Sequence, residues 1–150
     1  MCAFVEPQTV GTQFKTWLLH VTIVPWFRLD DGSAAIARGL EKALQTITPF
    51  EVIADGEALF GPKKNRPVRL LQASEPLAQT EAKVRTYLHK KRAFLLDETT
   101  RKHYSFRPHV TMQGDLLLPE GTVFHINQLY IVEQKGDYKE IVSEIRLGKN

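Results

Sequence analysis

Residues 18–25 read L-L-H-V-T-I-V-P and residues 105–112 read S-F-R-P-H-V-T-M. The tripeptide His-Val-Thr therefore occurs twice, as His20-Val21-Thr22 and His109-Val110-Thr111, in a chain with five histidines. β-branched neighbours, with a proline closing the first stretch and opening the second, mark both as strands. Side chains alternate faces along a strand, so His20 shares a face with Thr22 while Val21 turns the other way. The same parity puts His109 with Thr111 and sends Val110 opposite. Each strand buries a valine and presents an imidazole beside a hydroxyl, and two such strands side by side would line a cleft with two of each. Twelve threonines in 150 residues make two of five histidines with Thr at +2 a chance event of roughly 5%, before the shared valine is counted.

Outward from these tripeptides, the first strand is predicted over 16–24 and stops at Pro25. Asp30-Asp31-Gly32-Ser33 offer turn and N-cap chemistry. Ile36, Leu40, Ala43, Leu44 and Ile47 follow at helical spacing, which predicts a helix over about 33–46. Residues 50–60 alternate patchily around Gly56, predicting a strand with a bulge or bend. The run G-P-K-K-N-R-P reads as an exposed turn and 68–72 as the next strand. Ser74-Glu75-Pro76 opens a second helix carrying Leu77, Val84 and Leu88, which ends near residue 89. Residues 107–113 form another strand, and 123–133 with 138–147 read as a closing hairpin about Lys135-Gly136-Asp137. The order is β-α-β-β, then α-β-β-β, with one His-Val-Thr strand in each half. That pattern predicts an α+β fold with antiparallel sheets and hints at internal duplication.

Bulk properties narrow the class. The chain is 43% apolar and 25% charged, ordinary for one globular domain spanning 1–150. A net charge of +3 suits an anionic ligand without establishing one. Cys2 is the single cysteine, which excludes an intrachain disulfide and a cysteine-based metal cluster. The start M-C-A-F-V-E-P-Q lacks the pattern of a secretory signal, and the apolar stretch 17–27 is too short to cross a bilayer. The expectation is a cytoplasmic monomer without membrane contact.

Two histidines and two hydroxyls suit phosphoryl chemistry. One imidazole removes a proton from the nucleophile, the other returns one to the leaving oxygen, and the hydroxyls hold the non-bridging oxygens. Neither tripeptide has a further histidine, cysteine or carboxylate at ligand spacing, so no metal and no cofactor are expected.

The paired motifs closely resemble those of the two-histidine (2H) phosphoesterase superfamily, specifically its 2′-5′ RNA ligase-like proteins. The likeness runs through L-H-V-T-I-V-P-W-F, the helix, P-F-E-V-I-A-D-G-E-A-L-F-G and F-R-P-H-V-T-M. It implies a bilobal, pseudo-twofold α+β fold, with two antiparallel sheets forming a central cleft and helices outside. It also implies metal-independent hydrolysis of 2′,3′-cyclic phosphates or 2′-5′ phosphodiester bonds in nucleotides or RNA ends. His20 and His109 would be the acid/base pair, with Thr22 and Thr111 binding the phosphate. Members acting on RNA 2′,3′-cyclic ends often carry an arginine two residues past the second H-x-T-hydrophobic unit, where this chain has Met112-Gln113-Gly114. The first motif also continues differently, and both departures point to a broader branch. Two alternatives use the same cleft: a nucleotide- or RNA-binding module without turnover, and RNA 2′-5′ end-joining.

Among flanking residues, Trp26 and Phe27 are candidates for stacking a nucleobase, and Arg107, with the parity of His109, for a phosphate contact. Lys63, Lys64, Arg66 and the run Lys90-Lys91-Arg92 read as surface charge. His89, His103 and His125 lack the threonine; His103 falls in T-T-R-K-H-Y, read as a loop over the cleft.

Overall fold

The computed structural model describes residues 1–100 and 105–148, apart from the side chains of 99 and 100. Along them run β1 (Cys2–Phe4), β2 (Gln13–Phe14), β3 (His20–Thr22), β4 (Phe27–Arg28), α1 (Ser33–Ala43), β5 (Phe50–Phe60) and β6 (Arg66–Leu71). There follow α2 (Glu75–Lys90), β7 (Phe94–Leu95), α3 (Leu96–Thr100), β8 (His109–Thr111), β9 (Val123–Ile126), β10 (Gln128–Lys135) and β11 (Tyr138–Arg146). Nine strands form one antiparallel sheet in the order β2-β11-β10-β1-β3-β8-β6-β5-β9, and β4 pairs with β7 in a small separate ribbon. The fold is α+β, as the element pattern predicts. The two expected sheets are joined into one ladder by β3 and β8, which pair antiparallel with Val21 opposite Val110.

The core follows from strand parity. Val21 and Val110 are fully buried in a cluster with Ala3, Leu129, Ile131 and Ile145. Against them pack Ile36, Leu40 and Leu44 from the first helical segment and Leu77, Val84 and Leu88 of α2. Each such side chain taken from water stabilises the fold by about 1.5–3 kcal/mol. Gly39 lets α1 approach α2 closely, since a Cβ there would fall 2.2 Å from the Tyr87 hydroxyl. A second, smaller cluster contains Cys2, Phe4, Tyr130, Val132 and Ile141, with Phe14 and Trp17 packed against it. Cys2 and Phe4 pair with Thr22 and His20, so this cluster lies on the sheet face that carries the imidazoles.

Local chemistry explains most boundaries. In α2 the Ser74 hydroxyl accepts from the Leu77 N–H (3.3 Å), and Pro76 occupies the first turn, where its missing donor costs nothing. α1 is capped differently from the expectation: Gly32 is the N-cap and no side chain accepts a hydrogen bond there. β5 carries the predicted irregularity, with a register shift between Ala54 and Glu57 and Gly56 at φ +86°, which favours glycine.

Three expectations are corrected. The strand predicted over 16–24 contracts to β3, because its neighbour β1 is itself only three residues long. β1, a strand with too few residues to show a period, lies at the centre of the sheet between β3 and β10. The predicted closing hairpin holds for β10 and β11, but 123–126 separate from it and pair with β5 at the far edge. Only Asn127 divides β9, at one edge of the sheet, from β10, third from the other edge, so the sheet curls back on itself. Among the described residues no helix is long and apolar enough to cross a membrane.

Shortening the residue at the sheet's central pair opens a void that the close-packed surroundings cannot fill. Val110→Ala is expected to lower stability by about 2 kcal/mol, with an unchanged denaturant slope, in urea unfolding followed by circular dichroism.

Candidate active site

The Val21–Val110 register sets His20 opposite Thr111 and Thr22 opposite His109, all four on the face away from the helices. The histidines are thus diagonal neighbours, a relation that places Cβ atoms roughly 7–8 Å apart. All four side chains line one cavity of about 580 Å³.

Each imidazole is oriented by its own strand. His20 Nδ1 lies 2.7 Å from the Leu18 carbonyl, and His109 Nδ1 lies 2.7 Å from the Arg107 carbonyl. A carbonyl only accepts, so Nδ1 carries the proton in both rings, and a neutral ring then holds its lone pair on Nε2. Aromatic rings fix the ring planes. Trp17 lies against His20 at 4.4 Å between centroids and 34° between planes, while Phe60 meets His109 edge-on at 4.7 Å and 71°. A cation sits over each of these aromatics: Lys139 Nζ is 5.4 Å from the Trp17 centroid, and the Arg107 guanidinium carbon is 4.6 Å from that of Phe60. Burial beside Trp17 and Phe4 pushes the His20 pKa down to about 4, only partly offset by the Leu18 carbonyl. His20 is accordingly neutral at pH 7.

A second cavity, of about 500 Å³, adjoins the first and shares Thr22, Pro25 and His109 with it as a common wall. Trp26 lines the first cavity and is 44% exposed, in a position to meet a ligand. Phe27 does not share this place. It pairs with Leu95 in the small ribbon and packs against the main core, while Trp26 lies in the bend before β4. Arg107 lines the second cavity and Gln113 the first. Lys64 and Arg66, read from sequence as surface charge, enter the second and first cavities respectively. Trp17, Phe60 and Lys139 also escaped the sequence reading; the available signal was Trp17 lying three residues before His20. His89 contacts Glu98 and His125 contacts Glu51, both outside the cavity linings. The loop expected at T-T-R-K-H-Y lies largely outside the described residues. Among the described residues no three His, Cys, Asp or Glu side chains gather as a metal site requires.

The depressed pKa has a sign that stability reports. Between pH 6.5, the ordinary histidine value, and about 4, the unfolded chain takes up a proton at His20 that the folded protein refuses. This contribution is therefore fully present above pH 6.5 and is lost as pH falls toward 4. His20→Gln is expected to flatten that part of the pH–stability curve in urea unfolding at pH 7 and pH 5.

The chain was compared with known proteins. The family described as the 2′-5′ RNA ligase superfamily matches residues 7–120. No curated protein sequence matches the chain. Among solved structures, a phosphoesterase crystal structure aligns with a TM-score of 0.54 at 18% identity, covering 87% of this chain and 78% of that one. E. coli LigT complexed with 3′-AMP aligns at 0.51 with 16% identity, over 87% of this chain and 76% of that one. The same protein in apo form aligns at 0.52 with 18% identity, over 87% and 77%. At such identities these structures speak for the fold. The sequence match takes in both His-Val-Thr tripeptides and most of the chain, and on that ground the chain belongs to the 2′-5′ RNA ligase superfamily.

Proposed function

We propose that residues 1–150 form one two-lobed domain that acts, without a metal, as a phosphodiesterase on 2′,3′-cyclic phosphates or 2′-5′ linkages in nucleotides or RNA ends. The observation that carries this reading is the crossed register, which sets two imidazoles and two hydroxyls about one cavity with both Nδ1 atoms held by backbone carbonyls. Family membership supports the chemistry, and the 3′-AMP complex of LigT supports a nucleotide ligand.

His20, kept neutral by burial, starts as the base, which leaves the part of the acid to His109. For a 2′,3′-cyclic phosphate, Nε2 of His20 takes a proton from water while the water oxygen bonds to phosphorus. The bond from phosphorus to one ribose oxygen breaks, and His109 gives that oxygen its proton, leaving a phosphomonoester and a free hydroxyl. For a 2′-5′ linkage the neighbouring 3′-hydroxyl replaces water, and the 5′-hydroxyl of the next nucleoside leaves, with a cyclic phosphate as the other product. The Thr22 and Thr111 hydroxyls donate to the non-bridging oxygens as charge builds there. Trp26 stacks a base, and Arg107 meets a phosphate.

The test is a panel of 2′,3′-cyclic mononucleotides, 2′-5′ oligoadenylate and cyclic-phosphate-ended RNA. His20→Ala and His109→Ala are each expected to lower kcat by about 10²–10⁴-fold with circular dichroism unchanged, and EDTA to have no effect. Thr22→Val or Thr111→Val should cost on the order of 10²-fold. Full activity in either histidine variant overturns the mechanism.

A further inference from the structure

We infer that the cleft binds both sides of its phosphodiester, and that the compartment holding Lys64 and Arg107 takes an arm bearing a phosphate of its own. This rests on the phosphodiesterase reading above and narrows its substrate class.

The two cavities, about 580 and 500 Å³, share a wall of Thr22, Pro25 and His109, and two of these, Thr22 and His109, belong to the proposed reaction centre in the first cavity. Either alone falls within the range of sites for small organic ligands, about 300–1,000 Å³. A mononucleoside cyclic phosphate occupies one side of such a centre. A diester joining two organic groups occupies both.

The compartments differ in chemistry. The larger has the flat surfaces of Trp17 and Trp26, with Arg66 as the side-chain cation in its lining. Flat aromatic walls suit a base. The smaller is lined by Lys64 and Arg107, with Phe60 beneath the guanidinium. Its one acid, Asp97, shares Arg85 with Glu81 and Glu98, with Arg85 Nη2 2.9 Å from Asp97 Oδ2. Lys64 and Arg107 thus set two cations against one ion-paired carboxylate, and a guanidinium lying on a ring keeps its N–H edge for a planar acceptor such as phosphate. Lys64 is held at the mouth by the turn after β5, where its N–H donates to the Gly61 carbonyl at 3.0 Å.

The test compares a 2′-5′-linked dinucleoside monophosphate with the same compound carrying a terminal monophosphate at one end or the other. A 2′,3′-cyclic mononucleotide serves as the one-armed reference. One of the two phosphorylated compounds is expected to exceed the plain dinucleoside in kcat/KM by about tenfold, most of it through KM. Lys64→Gln and Arg107→Gln should each bring that ratio toward one, whereas Lys63→Gln, outside both compartments, should keep it. Turnover in the wild type with ratios near one, or a ratio indifferent to both substitutions, overturns this inference alone. Absence of turnover for every compound overturns the parent reading and this one with it.

Discussion

The register of a single strand pair, Val21 against Val110, governs the rest of the structure. A slip of one residue would turn every side chain of a motif strand to the other face, sending imidazole and hydroxyl into the helix-packed core. Unpartnered polar groups there cost several kcal/mol, while both valines are fully buried where they stand. The apolar core thus fixes the polar arrangement on the opposite face. The four site residues inherit their geometry from two side chains that never touch the cleft.

Orientation of the rings is equally local. Each histidine is held by the carbonyl two residues upstream, so the backbone entering each motif strand sets the tautomer. The likeness of the two motif strands extends to a cation over an aromatic beside each imidazole, but the aromatics differ. Trp17 covers the His20 ring, whereas Phe60 offers His109 an edge. The two like motif strands thereby have unequal surroundings, which suits the proposed division into one base and one acid.

Much of this was legible in the sequence, and the exceptions have physical reasons. Period and caps announced α2, the bent strand around Gly56 and the β10–β11 hairpin, because those elements are long enough to carry a pattern. β1 was illegible: three residues show no period, and its order comes from strands on both sides. The break at Asn127 was illegible because 123–133 is continuously strand-like; only pairing partners distant in sequence divide it. The His-Val-Thr pairs were visible through alternation alone. Lys64 and Arg66 were not, since a basic turn looks the same whether it faces solvent or the mouth of a cleft. Phe27 adjoins Trp26 in sequence, but its pairing with Leu95 takes it into the core while Trp26 stays in the bend before it.

The interleaving of strands has a consequence for how the protein comes to be folded. β3 flanks β1 and, through it, the late strands β10 and β11, while β8 flanks the earlier β6 and β5. Neither the first nor the second half of the chain holds the strands needed to complete its own side of the cleft. The β5–β6 and β10–β11 hairpins close over short loops, but β1–β10 and β3–β8 must close over long ones, whose entropy is lost before their contacts form. Such non-local pairings slow folding relative to local ones, and the two imidazoles lie beside one another only once β3 and β8 have paired.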